Sequence, residues 1–256
     1  MVTILLLKAQ SEESKSSSED SYVCKLSQEN FVVRLVYSLD FQFHHLDELG
    51  EKLKMPTKYS GIIFTSPRCV SAVNRSLQSS SLPKEWESKK VFVVSETTDR
   101  LVRNKLNVRD TIGSSAGNED TLIPLIYKEL EPGSNPLLLP VGSLSSKKIQ
   151  EKLKEKEIFV EEIQVYKTIP HPTLEEQMND VMTNNPPDII VFFSPSGIQY
   201  TKPLMSQAFI ARVKFVAIGP TTEQALKDAG FSVASTSAKP NPDCLLEAIK
   251  ASLKQS

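Results

Sequence analysis

Residues 188–197 read D-I-I-V-F-F-S-P-S-G, and residues 214–222 read K-F-V-A-I-G-P-T-T. Each stretch is an apolar run without alternating polar residues, and Ser, Gly, Pro or Thr ends it before a helix-like pattern begins. This is typical of a parallel strand that is buried on both faces and leads into a crossover helix. The two stretches predict an α/β fold in which neighbouring strands end beside helix N-termini.

The same motifs occur earlier in the chain. Residues 61–70 read G-I-I-F-T-S-P-R-C-V and residues 90–98 read K-V-F-V-V-S-E-T-T, so an S-P pair and a T-T pair each occur twice. The repeat spacing is close to half the chain length. Internal duplication therefore predicts two similar domains, each with a parallel sheet flanked by helices.

Two looser matches extend the repeat. I-L-L-L at 4–7 leads to Val36-Tyr37, and P-L-L-L at 136–139 leads to Val165-Tyr166. The segments after the two V-Y pairs hold matching places, so we interpret both as crossings between the halves. The predicted domains are 1–36 plus 171–256 and 38–168, with linkers near 36–40 and 164–171.

Composition limits the function classes. The chain has 256 residues, enough for two domains, and its formal net charge of −1 argues against a nucleic-acid or membrane surface. The three cysteines lie far apart, so we expect no zinc site and a reducing compartment. No apolar stretch is long enough for a signal segment or a membrane span. We expect a cytoplasmic protein, with the Ser-rich stretch 11–21 as either a lid or a tolerated insertion.

The predicted strand ends carry small hydroxyl side chains and bare backbone amides. Ligands of parallel α/β sheets bind at these ends, where helix N-termini present unpaired N–H groups that suit carboxylates or phosphates. Ser66 and Ser194 are predicted N-caps followed by Pro, and Thr97 and Thr221 are candidate caps of the helices that follow the T-T pairs. Lys214 is a possible cation for binding an anionic ligand. The candidate binding residues are Thr65, Ser66, Arg68, Thr98, Gly142, Ser194, Ser196, Gly197, Gly219, Thr221 and Thr222.

These motifs resemble those of the uroporphyrinogen-III synthase family. The similar segments are I-I-F-T-S-P-R, L-L-L-P-V-G, V-Y-K-T-I-P-H-P, F-F-S-P-S-G and A-I-G-P-T-T followed by A-L-x-x-x-G. The resemblance implies a monomer with two α/β domains, the first made of both chain ends, that are joined by a two-stranded linker. One departure is Ser95, which stands where the family usually has Gly, and we expect it to shift that turn because only Gly reaches positive φ freely.

The resemblance also implies a reaction. The substrate would be hydroxymethylbilane, a linear tetrapyrrole with carboxylate side chains, and the cofactor-free, metal-free reaction would be its dehydration and cyclisation with inversion of ring D, giving uroporphyrinogen III for haem synthesis. Tyr166 matches the family's V-Y-x-T position and is the candidate proton donor, since a phenol is protonated at neutral pH. The alternative is a tyrosine that only packs in a linker strand. We expect the substrate in the gap between the two halves.

Other functions have less support. The chain has no G-x-G-x-x-G, G-x-x-x-x-G-K-[ST] or H-E-x-x-H motif. A non-catalytic two-domain binder of small polyanions remains the main alternative, because the same strand ends would serve it. A response-regulator-like module is weaker, since L-L-L-K at 5–8 lacks the acidic cluster such a module needs.

Overall fold

The apolar runs form parallel strands in a computed structural model that describes residues 1–10, 20–78 and 80–254. The chain forms two compact units, unit 1 (Met1–Asp40 with Ile169–Ser256) and unit 2 (Phe41–Thr168). The predicted α/β class with helix-flanked parallel sheets is confirmed. Most of the Ser-rich stretch, residues 11–19, lies outside the described residues.

The secondary structure alternates along the chain. The strands are β1 (Thr3–Ala9), β2 (Val32–Phe43), β3 (Gly61–Phe64), β4 (Lys90–Val93), β5 (Leu137–Gly142), β6 (Val160–Pro170), β7 (Ile189–Phe192), β8 (Lys214–Ala217) and β9 (Val233–Thr236). The α-helices are α1 (Ser21–Gln28), α2 (Leu46–Leu53), α3 (Pro67–Ser76), α4 (Glu96–Leu106), α5 (Glu119–Glu129), α6 (Lys148–Lys154), α7 (Leu174–Asn184), α8 (Pro195–Thr201), α9 (Gln207–Ile210), α10 (Pro220–Asp228) and α11 (Pro242–Lys254). Short 3-10 turns occupy Pro56–Lys58, Lys84–Ser88 and Lys202–Leu204.

Each unit has its own parallel sheet. The strand order in unit 1 is β2-β1-β7-β8-β9, and the order in unit 2 is β4-β3-β5-β6. The strands β2 and β6 both run through a unit boundary, since the boundaries follow Asp40 and Thr168. Within unit 1 the His171 N–H donates to the Ser38 carbonyl at 3.2 Å, and within unit 2 the His44 N–H donates to the Val165 carbonyl at 3.0 Å.

The continuous apolar runs are explained by cores on both faces of each sheet. In β1, Leu5 and Leu7 pack into one core of unit 1, and Ile4 and Leu6 pack into the other. Successive side chains of a strand point to opposite faces, so a strand covered on both sides needs apolar residues at every position. Among the described residues, no helix is both long and apolar enough to cross a membrane.

The strand registers show which parts of the two units correspond. Ile190 pairs with Leu5 in unit 1, and Ile62, which precedes the other S-P pair by the same spacing, pairs with Leu138 in unit 2. Leu5 therefore corresponds to Leu138, one residue away from the match drawn from sequence. The T-T match is confirmed, because the same two isoleucines pair with Phe215 and Val91 respectively.

The V-Y match is wrong by two residues. The register of β1 with β2 skips Ser38, so that Ala9 pairs with Leu39, and the register of β5 with β6 skips Val165, so that Gly142 pairs with Tyr166. Tyr166 thus corresponds to Leu39 and not to Tyr37. Both registers skip one residue at the same place, so the bulges do not cause this offset, and the two V-Y pairs lie at different register positions.

Candidate functional site

The carboxyl end of β3 in unit 2 leads directly into a capped helix. Ser66 has extended backbone angles, its Oγ accepts a 3.3 Å hydrogen bond from the Cys69 N–H, and Pro67 is the first residue of α3. The predicted N-cap is therefore confirmed. Thr65 and Ser66 are half-buried, so both remain partly accessible at this edge.

Tyr166 lies beside that cap. Its hydroxyl oxygen is 3.4 Å from Ser66 Oγ, and the Ser66 hydroxyl donates to Cys69 Sγ at 3.3 Å. The Ser66 hydroxyl is therefore within reach of both the sulfur and the phenol oxygen, and either member of the Ser66–Tyr166 pair can donate. The cap thus fixes the position of the Tyr166 hydroxyl.

Burial changes the acidity of this phenol. Tyr166 packs against the core of unit 2, and this burial is the main reason why the pKa of the phenol is raised above its ordinary value of 10.0. The Ser66 hydrogen bond and the charge of Arg68 act in the opposite direction and favour the phenolate. The phenol is therefore protonated at neutral pH, next to a cation that stabilises the anion it forms on giving up its proton.

Gly142 ends β5 directly beneath the Tyr166 ring. A Cβ at position 142 would come within 2.4 Å of the ring Cζ and 2.6 Å of the hydroxyl oxygen, closer than any real Cβ contact. The Ser143 N–H donates to the Tyr166 carbonyl at 2.9 Å and holds the two strands together there. Gly142 is needed in this place because the ring occupies the space of a side chain.

Two phenylalanines of β2 contact two arginines of α3. The Arg68 guanidinium carbon lies 3.4 Å from the centre of the Phe41 ring, and that of Arg75 lies 4.2 Å from the centre of the Phe43 ring. Both rings also contact Tyr166, with centroid separations of 5.9 Å for Phe41 and 6.2 Å for Phe43. Arg68 is thus held by an aromatic ring next to the phenol.

At the carboxyl end of β4, the next strand of unit 2, side chains already fill the N-terminus of α4. Ser95, not Thr97, is the N-cap of α4, and its Oγ accepts from the Thr98 N–H at 3.3 Å and lies 3.0 Å from the Thr98 hydroxyl. Thr98 is fully buried. The Ser95 hydroxyl therefore already occupies the amide that a ligand would need at this helix.

The expected distortion at Ser95 is absent. Ser95 has φ −157° and ψ 159°, and the corresponding Gly219 has φ 178° and ψ 176°. Both are extended conformations that any residue adopts, so the expectation that Gly is needed here for positive φ was wrong.

In unit 1, the S-P pair after β7 forms the same kind of N-cap that Ser66 forms in unit 2. The Ser194 Oγ accepts from the Gly197 N–H at 3.2 Å, as predicted, with Pro195 as the first residue of α8. Gly197 is buried, and a Cβ there would lie 3.3 Å from the Ser38 hydroxyl, so this glycine permits close packing of α8. Ser196 is half-buried in the first turn.

The second strand end of unit 1 differs from its counterpart. Gly219 precedes α10 without any side-chain cap, and no atom lies within 4 Å of the position where its Cβ would stand. Thr221 is exposed, whereas Thr222 is buried. Thr221 is within the helix and is not its cap. The first amides of α10 are thus left without the side-chain partner that Ser95 gives α4.

The lysines near the strand ends of unit 1 are not those that the sequence analysis proposed. Lys214 begins β8 at its amino end, and its Nζ donates to the Ser252 carbonyl at 2.9 Å, so it is not at the predicted edge. Lys8, which the sequence reading passed over, lies near the carboxyl end of β1 with its Nζ 2.5 Å from Asp20 and 4.5 Å from the Tyr22 ring centre. An apolar run that ends in lysine was the available signal.

Histidines and acidic residues do not form a metal centre in the described ranges. No group of three or more His, Cys, Asp or Glu side chains there is placed to hold an ion. The His44 and His45 Nδ1 atoms are 3.0 Å apart, and His171 Nδ1 is 2.9 Å from the Thr173 hydroxyl. These contacts bind the histidines to each other or to local structure.

Known proteins are similar to this chain in sequence. A family model described as uroporphyrinogen-III synthase HemD matches residues 20–247. The uroporphyrinogen-III synthase of Schizosaccharomyces pombe is 31% identical over 98% of this chain and 97% of its own length. The Saccharomyces cerevisiae protein of the same name is 28% identical over 74% of each chain.

Solved structures give the same result for the fold. The uroporphyrinogen-III synthetase of Helicobacter pylori aligns with a TM-score of 0.68 at 18% identity and covers 99% of this chain and 100% of its own. A mutant uroporphyrinogen III synthase of Thermus thermophilus aligns with a TM-score of 0.65 at 14% identity over 100% of both chains. With the family match over most of its length, the chain belongs to the uroporphyrinogen-III synthase family, the hydro-lyases of tetrapyrrole biosynthesis.

Proposed function

We propose that the chain converts hydroxymethylbilane into uroporphyrinogen III and that Tyr166 is the proton donor. The observation that carries the assignment is the position of the Tyr166 hydroxyl, 3.4 Å from Ser66 Oγ and close enough to Arg68 for its charge to act on the phenol. Loss of the substrate hydroxyl needs a proton, and general acid catalysis by a positioned side chain supplies it. A phenol with a raised pKa keeps this proton until it meets a stronger acceptor.

The proposed first step is the departure of water. The pyrrole nitrogen pushes its electron pair toward the hydroxymethyl carbon, the C–O bond breaks, and the Tyr166 phenol gives its proton to the leaving oxygen. The products are water, an azafulvene cation and a phenolate. The guanidinium of Arg68 favours the phenolate, as it does in the free protein.

The proposed second step closes the ring. The substituted carbon of ring D attacks the azafulvene methylene, and the intermediate then rearranges with inversion of that ring. A proton lost when the pyrrole regains its aromaticity returns to the phenolate, so the tyrosine is restored and water is the only by-product. The chain must hold ring D so that this attack outpaces unaided closure to the type I isomer.

We further propose that the substrate carboxylates bind at the predicted strand ends, with different strength at each. In unit 1, the first turn of α10 offers backbone amides and the exposed Thr221 hydroxyl without a competing cap. Helix N-termini attract anions through these amides and the helix dipole. In unit 2, the Ser95 hydroxyl already takes an amide of α4, so we expect Thr65, Ser66 and Arg68 to contribute more there than Thr98.

The decisive test uses freshly made hydroxymethylbilane. Added protein should raise the total rate of cyclisation and yield the type III isomer, measured as the ratio of type III to type I uroporphyrinogen. A non-catalytic polyanion binder would protect or sequester the substrate and leave that ratio at the value of the unaided reaction. The same assay with Tyr166→Phe tests the assigned donor.

We also propose a cytoplasmic monomer. The three cysteines, Cys24, Cys69 and Cys244, are free thiols, as is usual in reducing compartments. Among the described residues, the large apolar side chains that are exposed are Met1, Val32, Leu144 and Phe159. Sedimentation velocity at several concentrations would test the monomer, and a mass that rises with concentration would contradict it.

A further inference from the structure

We propose that Phe41 is a positioning residue, whose ring holds the Tyr166 phenol and the Arg68 guanidinium in fixed places relative to each other. The inference rests on the proposed role of Tyr166 as proton donor. It adds a residue that does not itself react.

The ring contacts both groups directly. The Phe41 and Tyr166 rings meet edge to face, with centroids 5.9 Å apart and planes at 78°, a favoured geometry for aromatic pairs. The Arg68 guanidinium carbon lies 3.4 Å from the Phe41 centroid, well within the range of a cation–π contact. One rigid ring thus contacts the candidate acid with one part and the neighbouring cation with another.

The contact with Arg68 gives the arginine a defined orientation. A guanidinium that stacks on an aromatic face keeps its N–H groups directed sideways, in the plane parallel to the ring. In solution the long arginine side chain samples many rotamers, and holding it costs entropy that a stacked ring reduces. The cation is therefore placed near the phenol before any substrate arrives.

A second pair on the same elements shows what is particular to Phe41. Phe43 lies two residues further along β2 and contacts Arg75, which lies seven residues, or two helical turns, after Arg68 in α3. That arginine is in the last turn of the helix, away from the Ser66 cap. Both phenylalanines touch Tyr166, but Phe41 alone of the two also contacts the arginine beside the cap.

The pKa of the Tyr166 phenol depends on this arrangement. Burial, to which the Phe41 ring contributes, raises the Tyr166 pKa, and the charge of Arg68 lowers it. Removal of the ring would admit water to the phenol and release the guanidinium. Both the readiness to donate and the stabilisation of the phenolate would change, although Tyr166 and Arg68 themselves remain.

The experiment compares Phe41→Leu, Phe41→Tyr and the control Phe159→Leu, which removes a half-exposed ring just before the amino end of β6. Steady-state kcat and KM, the type III fraction and thermal melts are measured for each. The ionisation of Tyr166 is measured by ultraviolet difference titration, with Tyr166→Phe in the same background as the reference. Phe41→Met replaces Phe41→Leu if the leucine variant does not fold.

We expect Phe41→Leu to lower kcat at least about tenfold, with a smaller change in KM, because misplacement of a catalytic group mainly slows the chemical step. The Tyr166 titration should move to lower pH. Phe41→Tyr, which keeps the aromatic face, should restore most of kcat, and Phe159→Leu should match the wild type.

Two results would overturn the inference. One is a wild-type kcat together with an unchanged Tyr166 titration in Phe41→Leu. The other is an equal loss of activity in Phe41→Tyr, which would show that only the exact side chain, and not an aromatic face, is tolerated. If Tyr166→Phe itself keeps full activity, the proposed donor fails, and the titration alone then decides whether Phe41 positions the phenol.

Discussion

The ring of Tyr166 occupies the space that a side chain at Gly142 would need, with the ring Cζ 2.4 Å from the position of a Cβ. The two residues are register partners on the neighbouring strands β5 and β6. The absence of a side chain at Gly142 on β5 therefore allows the Tyr166 ring on β6 to lie where it does. This relationship depends on backbone geometry and is the basis of the first prediction.

Gly142→Ala should displace the Tyr166 ring and lower kcat. The ring has little room to move, since Phe41 and Phe43 pack against it. A loss of about tenfold or more in kcat is expected from such a displacement. The double variant Gly142→Ala/Tyr166→Phe tests the route of the effect: it should be no slower than Tyr166→Phe alone, and additive losses would show that Gly142 acts elsewhere.

Tyr166→Phe should reduce product formation much more than it reduces stability. The hydroxyl makes only a 3.4 Å contact with Ser66, so its loss should cost about 1 kcal/mol or less in the free energy of unfolding. Loss of a general acid costs about a hundredfold or more in rate. The rate and the type III to type I ratio are measured beside a thermal melt, with Tyr37→Phe as the matched control. An unchanged rate and ratio would remove Tyr166 from the mechanism.

The pH dependence of kcat should report the same phenol. The donor must be protonated, and its pKa is raised above the ordinary 10.0 by burial, so kcat should stay constant through neutral pH and fall only when the pH exceeds that value. Phe41→Leu should shift this fall to lower pH. The measurement is kcat against pH, limited to conditions in which the melt shows folded protein, and a basic limb that persists in Tyr166→Phe would assign it to another group.

Exchanging the caps of α4 and α10 should have opposite effects in the two units. Ser95 and Gly219 share an extended backbone, so each accepts the other residue. Gly219→Ser would place a hydroxyl on the first amides of α10, raise stability by a few tenths of a kcal/mol and raise KM by competing with a substrate carboxylate. Ser95→Gly should lose a similar amount of stability with little change in KM. An unchanged KM in Gly219→Ser would show that no carboxylate binds there.

Local patterns were sufficient for much of the fold. The apolar runs of β7 and β8 identified buried strands because a sheet covered on both faces leaves no position for polar residues. The S-P pairs identified helix starts because Ser and Pro suit the first two positions of a helix for reasons that lie within four residues. Both inferences needed no knowledge of distant contacts.

The errors came from features without a local signal. The counterpart of Tyr166 is Leu39 and not Tyr37, and only the strand registers of the two units reveal it. Lys214 lies at the amino end of β8, whereas the predicted site lies at its carboxyl end. The strand is only four residues long, so the two ends are close in sequence. The contacts of Phe41 with Arg68 and Tyr166 join three segments far apart in the chain.

The course of β2 and β6 through the unit boundaries has a consequence for synthesis on the ribosome. Unit 2 is a continuous segment, Phe41–Thr168, whereas unit 1 consists of the first and last parts of the chain. When Thr168 emerges, all strands of unit 2 exist, but β7, β8 and β9 of unit 1 have not yet been made. Since domains fold as units during translation, the middle of the chain can reach its native state first, while β1 waits with its apolar faces uncovered for the C-terminal strands.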